Sequence, residues 1–221
     1  MPRSFNTANT ARPVAVCEAM RTKPLEPRAT YEDLARVPKH LVAEIVNGEL
    51  VTSPRPAFPH ALAASSLGVD ICGRFQRGGG ADAPGGWWIL DEPELHLSGD
   101  IIVPDLAGWR RERMPRIPDT AFSELAPDWI CEIVSPASAR LDRVGKANIY
   151  AREKVAYLWL IDPLAQTLEA FCLEMGQWVR VAAHAGAERV RVPPFDAVEL
   201  EMRPWWIEEP QPEPNPLKKD P

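Results

Sequence analysis

The stretch DWICEIVSPASARLDRVGKANIYAREKVAYLWLIDP, from Asp128 to Pro163, restricts the fold more than any other part of the chain. AYLWLID is a near-continuous apolar run bounded by Asp162-Pro163, the pattern of a strand buried in the middle of a sheet. A second apolar strand, 128–134, precedes it, ended by Ser135-Pro136. Between the two the spacing predicts a helix over about 142–154, beginning near Asp142 and running through Ile149 and Tyr150. In the strand 128–134, alternation puts Ile130, Glu132 and Val134 on one face and Trp129, Cys131 and Ile133 on the other. A carboxylate inside such a strand is costly to bury alone, so Glu132 calls for a cation, a metal or several hydrogen-bond donors.

The rest of the chain adds strands and a few helices. Thr30-x-x-Asp33 resembles a capping box opening a short helix through Leu34 and Val37. In LVAEIVNGELVTS, Asn47-Gly48 between two β-prone runs predicts a hairpin, because both turn positions need positive φ. A two-residue loop pairs Val46 with Glu49 and Ile45 with Leu50, and places Glu44 on the face of Val46 and Val51. Leu62, Leu67, Ile71 and Phe75 mark the apolar stripe of a helix over 59–77, ended by Gly78-Gly79-Gly80. Strands are expected at 86–97, 102–109, 167–174, 177–183 and 189–192, the third and fourth as a hairpin across Met175-Gly176. This mixture predicts an α/β or α+β fold with a mixed central sheet. Residues 1–28 lack periodicity and read as a disordered arm. The Pro-rich, polar residues 208–221 read as a disordered tail. One domain is expected over 29–207.

Composition narrows the function classes. With 45% hydrophobic and 25% charged residues, the chain is of the globular soluble type. No apolar run approaches the ~20 residues of a membrane span, and no signal-peptide pattern opens it, so a cytoplasmic location is the default. Cys17, Cys72, Cys131 and Cys172 form no CxxC clip, which excludes a zinc framework. Cys131 and Cys172 read as buried thiols. The net charge is −6, and because the arm is basic, the middle of the chain is more acidic still. A nucleic-acid partner would therefore need a local basic patch, or a metal screening the carboxylates.

Three carboxylates stand where chemistry is expected. Asp105 follows Pro104 at a strand start, while Glu132 and Glu44 lie inside apolar strands. On the helix, Asp142, Lys146 and Tyr150 follow one another at intervals of four and share a face. An exposed Asp–Lys pair is the bland explanation of that spacing. The chemical one is phosphodiester cleavage, which requires charge compensation, an activated water and a stabilised leaving oxygen. Two carboxylates can hold Mg²⁺ with several of its waters. The ion acidifies one of them, and a lysine supplies a positive donor.

Three stretches, AEIVNGELV, VPDLAGW and the segment 127–163, resemble the Uma family of bacterial restriction-endonuclease-like domains, within the PD-(D/E)XK nuclease superfamily. The resemblance spans roughly residues 30–203. It implies a restriction-endonuclease-like fold, a central mixed sheet flanked by helices, and a Mg²⁺- or Mn²⁺-dependent nuclease acting on nucleic acid, DNA in the first instance. Such domains often work as a homodimer to cut two strands. Pro104-Asp105 matches the family's PD and Glu132 its second acid, which makes Asp105 and Glu132 the metal ligands. Val134 occupies the superfamily's usual lysine position, and Lys146 on the following helix takes its place, orienting the nucleophile with Asp142 and Tyr150 holding it. Glu44 matches an acidic position of the first hairpin, assisting the metal or its waters. Two other readings stand beside this one: a nuclease-fold binding module without turnover, and a metal-dependent hydrolase of another phosphoester. Arg110, Arg111, Arg113 and Arg116 form a basic cluster that either grips phosphates or is a solvated loop. His60 reads as a structural or capping residue, and His96 and His184 show no ligand spacing.

Overall fold

The computed structural model describes residues 28–80 and 82–208. The expected N-terminal arm (but for Arg28), the tail beyond Glu208 and Cys17 lie outside the described residues. Two mixed sheets share one long bent ribbon, with helices packed against them.

Thr30 caps the short helix α1 (Tyr31–Ala35) through the expected box, its side chain accepting from the Asp33 N–H while Asp33 accepts from the Thr30 N–H. Strands β1 (Leu41–Val46) and β2 (Glu49–Pro54) form the predicted hairpin. Val46 faces Glu49 and Ile45 faces Leu50. Asn47 and Gly48 have φ of 55° and 83°, as the two-residue turn requires. Helix α2 (Phe58–Ile71) follows and continues into a wider π turn, Cys72–Gln76. Leu67, Ile71 and Phe75 of its expected stripe are buried, but Leu62 is exposed and Ala63 takes its place in the core.

The expected strand 86–97 is two strands, β3 (Trp87–Asp91) and β4 (Glu94–Leu97). The segment after it is likewise β5 (Asp100–Ile102) and β6 (Leu106–Arg110). β4 and β5 are joined at Ser98-Gly99, where both residues have positive φ. β4 pairs with β5 and β3 with β6 in one unbroken antiparallel register, from Leu97↔Asp100 to Trp87↔Arg110. They are the two ends of one ribbon bent between sheets. The bend falls at Glu92-Pro93 on one strand and Pro104-Asp105 on the other. Proline cannot donate to a ladder, so each strand breaks there, and Glu92 adopts a φ of 43° while its N–H still reaches the Asp105 carbonyl (3.0 Å).

With the two-residue β7 (Phe122–Ser123), the first sheet runs β2-β1-β5-β4-β7. The second contains β8 (Trp129–Ile133), β9 (Tyr157–Asp162), β10 (Thr167–Glu174) and β11 (Gln177–Ala185), in the order β11-β10-β9-β8-β6-β3. β8 and β9 are parallel, which requires a crossover. The crossover is helical, but not as one regular helix. A π turn, Leu141–Lys146, leads into α3 (Ala147–Arg152), and the Ala147 N–H reaches back five residues to the Asp142 carbonyl. Among the described residues each π turn holds a glycine, Gly73 or Gly145, a residue that disfavours a regular helix by about 1 kcal/mol relative to alanine. The small β12 (Arg189–Val190) and β13 (Leu200–Glu201) pair with each other near the end.

β8 divides the core as its alternation predicts. Trp129, Cys131 and Ile133 face α2, with Trp87, Trp159, Phe195 and Trp205. Ile130 and Val134 face α3 and the first sheet, with Val46, Leu95, Trp109 and Tyr150. Cys131 is fully buried, whereas Cys172 is only half-buried, at a β10 position beside the β11 edge strand. Among the described residues no helix is long and apolar enough to cross a membrane.

Candidate active site

A cleft of about 370 Å³ opens where the ribbon bends away from β8. β1 and the end of β2 form one wall, the first turn of α2 and Glu92 a second, and β8 with the following turn and π turn a third. β6 pairs with β8 only as far as Leu106. One residue earlier, the Asp105 side chain takes over the ladder, its Oδ2 accepting the Ile133 N–H at 2.6 Å. Its Oδ1 faces His60 Nε2 at 3.2 Å. Glu44 performs a similar service on the other side of Pro104, accepting the Val103 N–H at 2.8 Å.

Glu132 points from β8 into the same space, and Lys146 reaches it from the π turn. Lys146 Nζ lies 2.9 Å from Glu44 Oε1, 3.4 Å from Glu132 Oε1, 3.8 Å from Asp142 Oδ1 and 3.4 Å from the Val103 carbonyl oxygen. Its side chain is 5% exposed. The Tyr150 hydroxyl donates to Glu132 Oε1. Ser138 holds the chain after β8 by bonds with Ser135.

One lysine thus serves three buried acids, with Asp105 a fourth on the cleft. Burial pushes the Glu132 carboxyl well above its usual range. Lys146 works against this, and the neighbouring charges of Asp142, Asp105 and Glu44 add to it. Asp142 is raised for the same first reason, opposed by Lys146 and Ser138. On Lys146 burial acts downward, but Glu132, Glu44 and Asp142 outweigh it, so the ammonium is held charged. Burial and the Glu132 charge push the Tyr150 phenol up and keep it a donor. Burial lowers the His60 imidazole, yet its hydrogen bond to Asp105 and the charges of Asp105, Asp142 and Glu92 leave it net raised.

A protein-family profile described as "Putative restriction endonuclease", Uma2, matches residues 28–203. The chain belongs to the Uma2 family. Its fold is also that of a crystal structure from Anabaena variabilis described as a "putative nuclease belonging to DUF820". The two share 20% identity with a TM-score of 0.64, over 80% of this chain and 97% of the other. No curated protein matches the chain.

In this Uma2 chain, the four residues singled out from sequence, Glu44, Asp105, Glu132 and Lys146, all line one cleft. Tyr150 differs from expectation: its hydroxyl holds Glu132 rather than Lys146. Asp142 is Lys146's most distant acid, and Glu44 its nearest. Three of the four arginines in the basic cluster are engaged by the protein itself. Arg110 lies over the Trp87 ring and Arg111 over Trp88, while Arg113 pairs with Asp128 at 2.9 Å. His60 caps nothing, since α2 has no side-chain cap. It lies on the cleft wall against Asp105, a placement that no local spacing encodes. Glu92 and Arg55 also line the cleft without a sequence signal. His96 and His184 pair with Glu94 and Glu188.

The donor set suits a hard divalent cation. Glu44, Asp105, Glu132 and Asp142 line the cleft and outnumber its one buried ammonium among the described residues, Lys146. Among the described residues no three His, Cys, Asp or Glu side chains are gathered closely enough to hold a metal alone.

Proposed function

We propose that this protein is a Mg²⁺- or Mn²⁺-dependent endonuclease that hydrolyses DNA phosphodiester bonds in the cleft at the ribbon bend. The observation that carries this reading is charge. Glu44, Asp105, Glu132 and Asp142 converge on one cleft with a single buried lysine. Buried carboxylates without compensation are costly, and a divalent cation is the compensation this donor set would accept. Asp105 and Glu132 would hold it, and when bound it would lower the pKa of a water and polarise the phosphoryl oxygen.

The remaining steps belong to the chain's own side chains. Lys146 pairs with both Glu44 and Glu132 and offsets their mutual repulsion. Its three N–H donors face Glu44, Glu132 and the Val103 carbonyl, so it orients an attacking water only by giving one of them up. Tyr150 fixes the Glu132 carboxylate from behind. The Ser135–Ser138 turn lines one side of the cleft.

Cleavage of supercoiled plasmid with Mg²⁺ or Mn²⁺, beside an Asp105→Asn/Glu132→Gln double variant, tests the proposal. Nicking or linearisation by the wild type alone is the expected result. Turnover of RNA or a small phosphodiester but not of DNA would move the reading to another phosphoester hydrolase. Folded wild type that cleaves nothing would favour a binding module built on the nuclease scaffold.

A further inference from the structure

Asp105 is held by one partner on each oxygen. Ile133 N–H fixes Oδ2 from β8, and His60 Nε2 lies 3.2 Å from Oδ1 on the first turn of α2. The two partners come from separate elements, so together they set the rotation of the carboxyl plane, which neither does alone. His60 Nδ1 is buried and has no hydrogen-bond partner among the described residues. Among the described residues the imidazole's polar contact is thus with Asp105. The ring also stands between the main cleft and a smaller cavity of about 190 Å³ lined by Asp91 and Glu92.

We propose that His60 is a positioning residue for the metal-binding carboxylate: its Nε2–H donates to Asp105 Oδ1 and turns the remaining lone pairs of Asp105 toward the cleft. The inference rests on the proposed metal site. Outer partners of a ligand commonly change metal affinity by ~10–100-fold when lost, because a freely rotating carboxylate must be ordered by the ion itself. The atom that matters is Nε2, not the bulk or polarity of the ring. Glutamine can place an amide N–H where Nε2 stands. Asparagine, shorter by one methylene, places it near Nδ1, away from Asp105.

Calorimetric titration of the full chain with Mn²⁺ tests this without relying on turnover, using wild type, His60→Asn, His60→Gln and Asp105→Asn, each checked for folding by thermal melting. The expected result is a Kd for His60→Asn roughly tenfold or more above wild type, with most of the affinity kept by His60→Gln. If His60→Asn binds as wild type does while Asp105→Asn binds weakly, the role of His60 is overturned and the metal site stands. Equal losses in the Asn and Gln variants would also overturn it, since a ring filling space would give that result. If the wild type binds no Mn²⁺, or Asp105→Asn binds it unchanged, the metal site falls and the inference with it.

Discussion

Replacing Lys146 with methionine tests whether the acid cluster is electrostatically overloaded. Methionine keeps the length and packing of the side chain but removes the ammonium that pairs with Glu44, Glu132 and Asp142. Breaking a buried ion pair from one side costs about 3–5 kcal/mol, because the partner stays buried without compensation. For a domain of this size each kcal/mol lowers Tm by roughly 2–4 °C, which predicts a fall of roughly 6–20 °C. Two of the acids can relieve the loss by taking up protons. Glu132 and Asp142 have carboxyls already raised by burial, and Lys146 is what opposes that rise. A carboxyl whose folded pKa lies above its unfolded value binds protons more tightly when folded. Its contribution is thus most favourable below the unfolded pKa and is lost as pH rises through the folded one. The deficit of Lys146→Met should accordingly be smaller at pH 5 than at pH 8. Thermal melts at both pH values, with chelator present, measure it, and added Mn²⁺ should recover part of the loss in the variant. A fall of under ~2 °C at pH 8, less than a single kcal/mol, would refute the reasoning. So would a deficit that does not change with pH.

Other substitutions probe the frame and the cleft mouth. A Cβ on Gly108 would lie 3.1 Å from Trp129 Cε3 and 3.3 Å from Trp87 Cε3, so Gly108→Ala should destabilise by about 1–3 kcal/mol, read from urea midpoints with an unchanged slope. Arg55 lines the cleft, donates to the Lys39 carbonyl and makes no ion pair among the described residues. If DNA enters there, Arg55→Ala should weaken binding evenly across sequences and reduce the slope of log affinity against log salt by about 1. Fluorescence anisotropy over a salt series measures that slope, and an unchanged value would place the backbone elsewhere.

The parts of this structure legible in the sequence are those governed by local or period-two rules. The Asn47-Gly48 hairpin and its register follow from turn stereochemistry, and the two faces of β8 follow from alternation. The grouping of Asp105, Glu132, Lys146 and Glu44 was legible because each is a charge set among apolar residues, in an order that the Uma family shares. The ribbon bend was not. Pro93 and Pro104 are visible singly, but only pairing across the ribbon shows that they break opposite strands at one level. The π turns were hidden for a related reason, since apolar spacing cannot separate a helix of 3.6 residues per turn from one locally wider. Helical spacing joins Tyr150 to Lys146, whereas the strand beneath supplies its partner, Glu132. The partner of His60, Asp105, is 45 positions away in sequence, beyond any local rule.

The bend also explains why the acids cannot be read as catalytic groups alone. Where a strand leaves its sheet, backbone donors lose their ladder partners, and a buried N–H left unpaired is costly. Here the orphaned donors are Val103 and Ile133, and the groups that satisfy them are the carboxylates of Glu44 and Asp105. The residues proposed to work on substrate therefore also close the corner of the fold. An alanine at Asp105 would remove a charge and strand the Ile133 N–H at once, so lost cleavage could not be separated from a disturbed strand. Asparagine keeps an acceptor oxygen for that N–H while halving the carboxylate's donor capacity toward a cation. Comparing Asp105→Asn with Asp105→Ala thus divides the two duties. If the asparagine variant melts near wild type but binds Mn²⁺ poorly, the acid's charge serves the ion and its oxygen serves the strand. If both variants melt equally low, the negative charge itself holds the corner, and activity lost on mutation says little about chemistry.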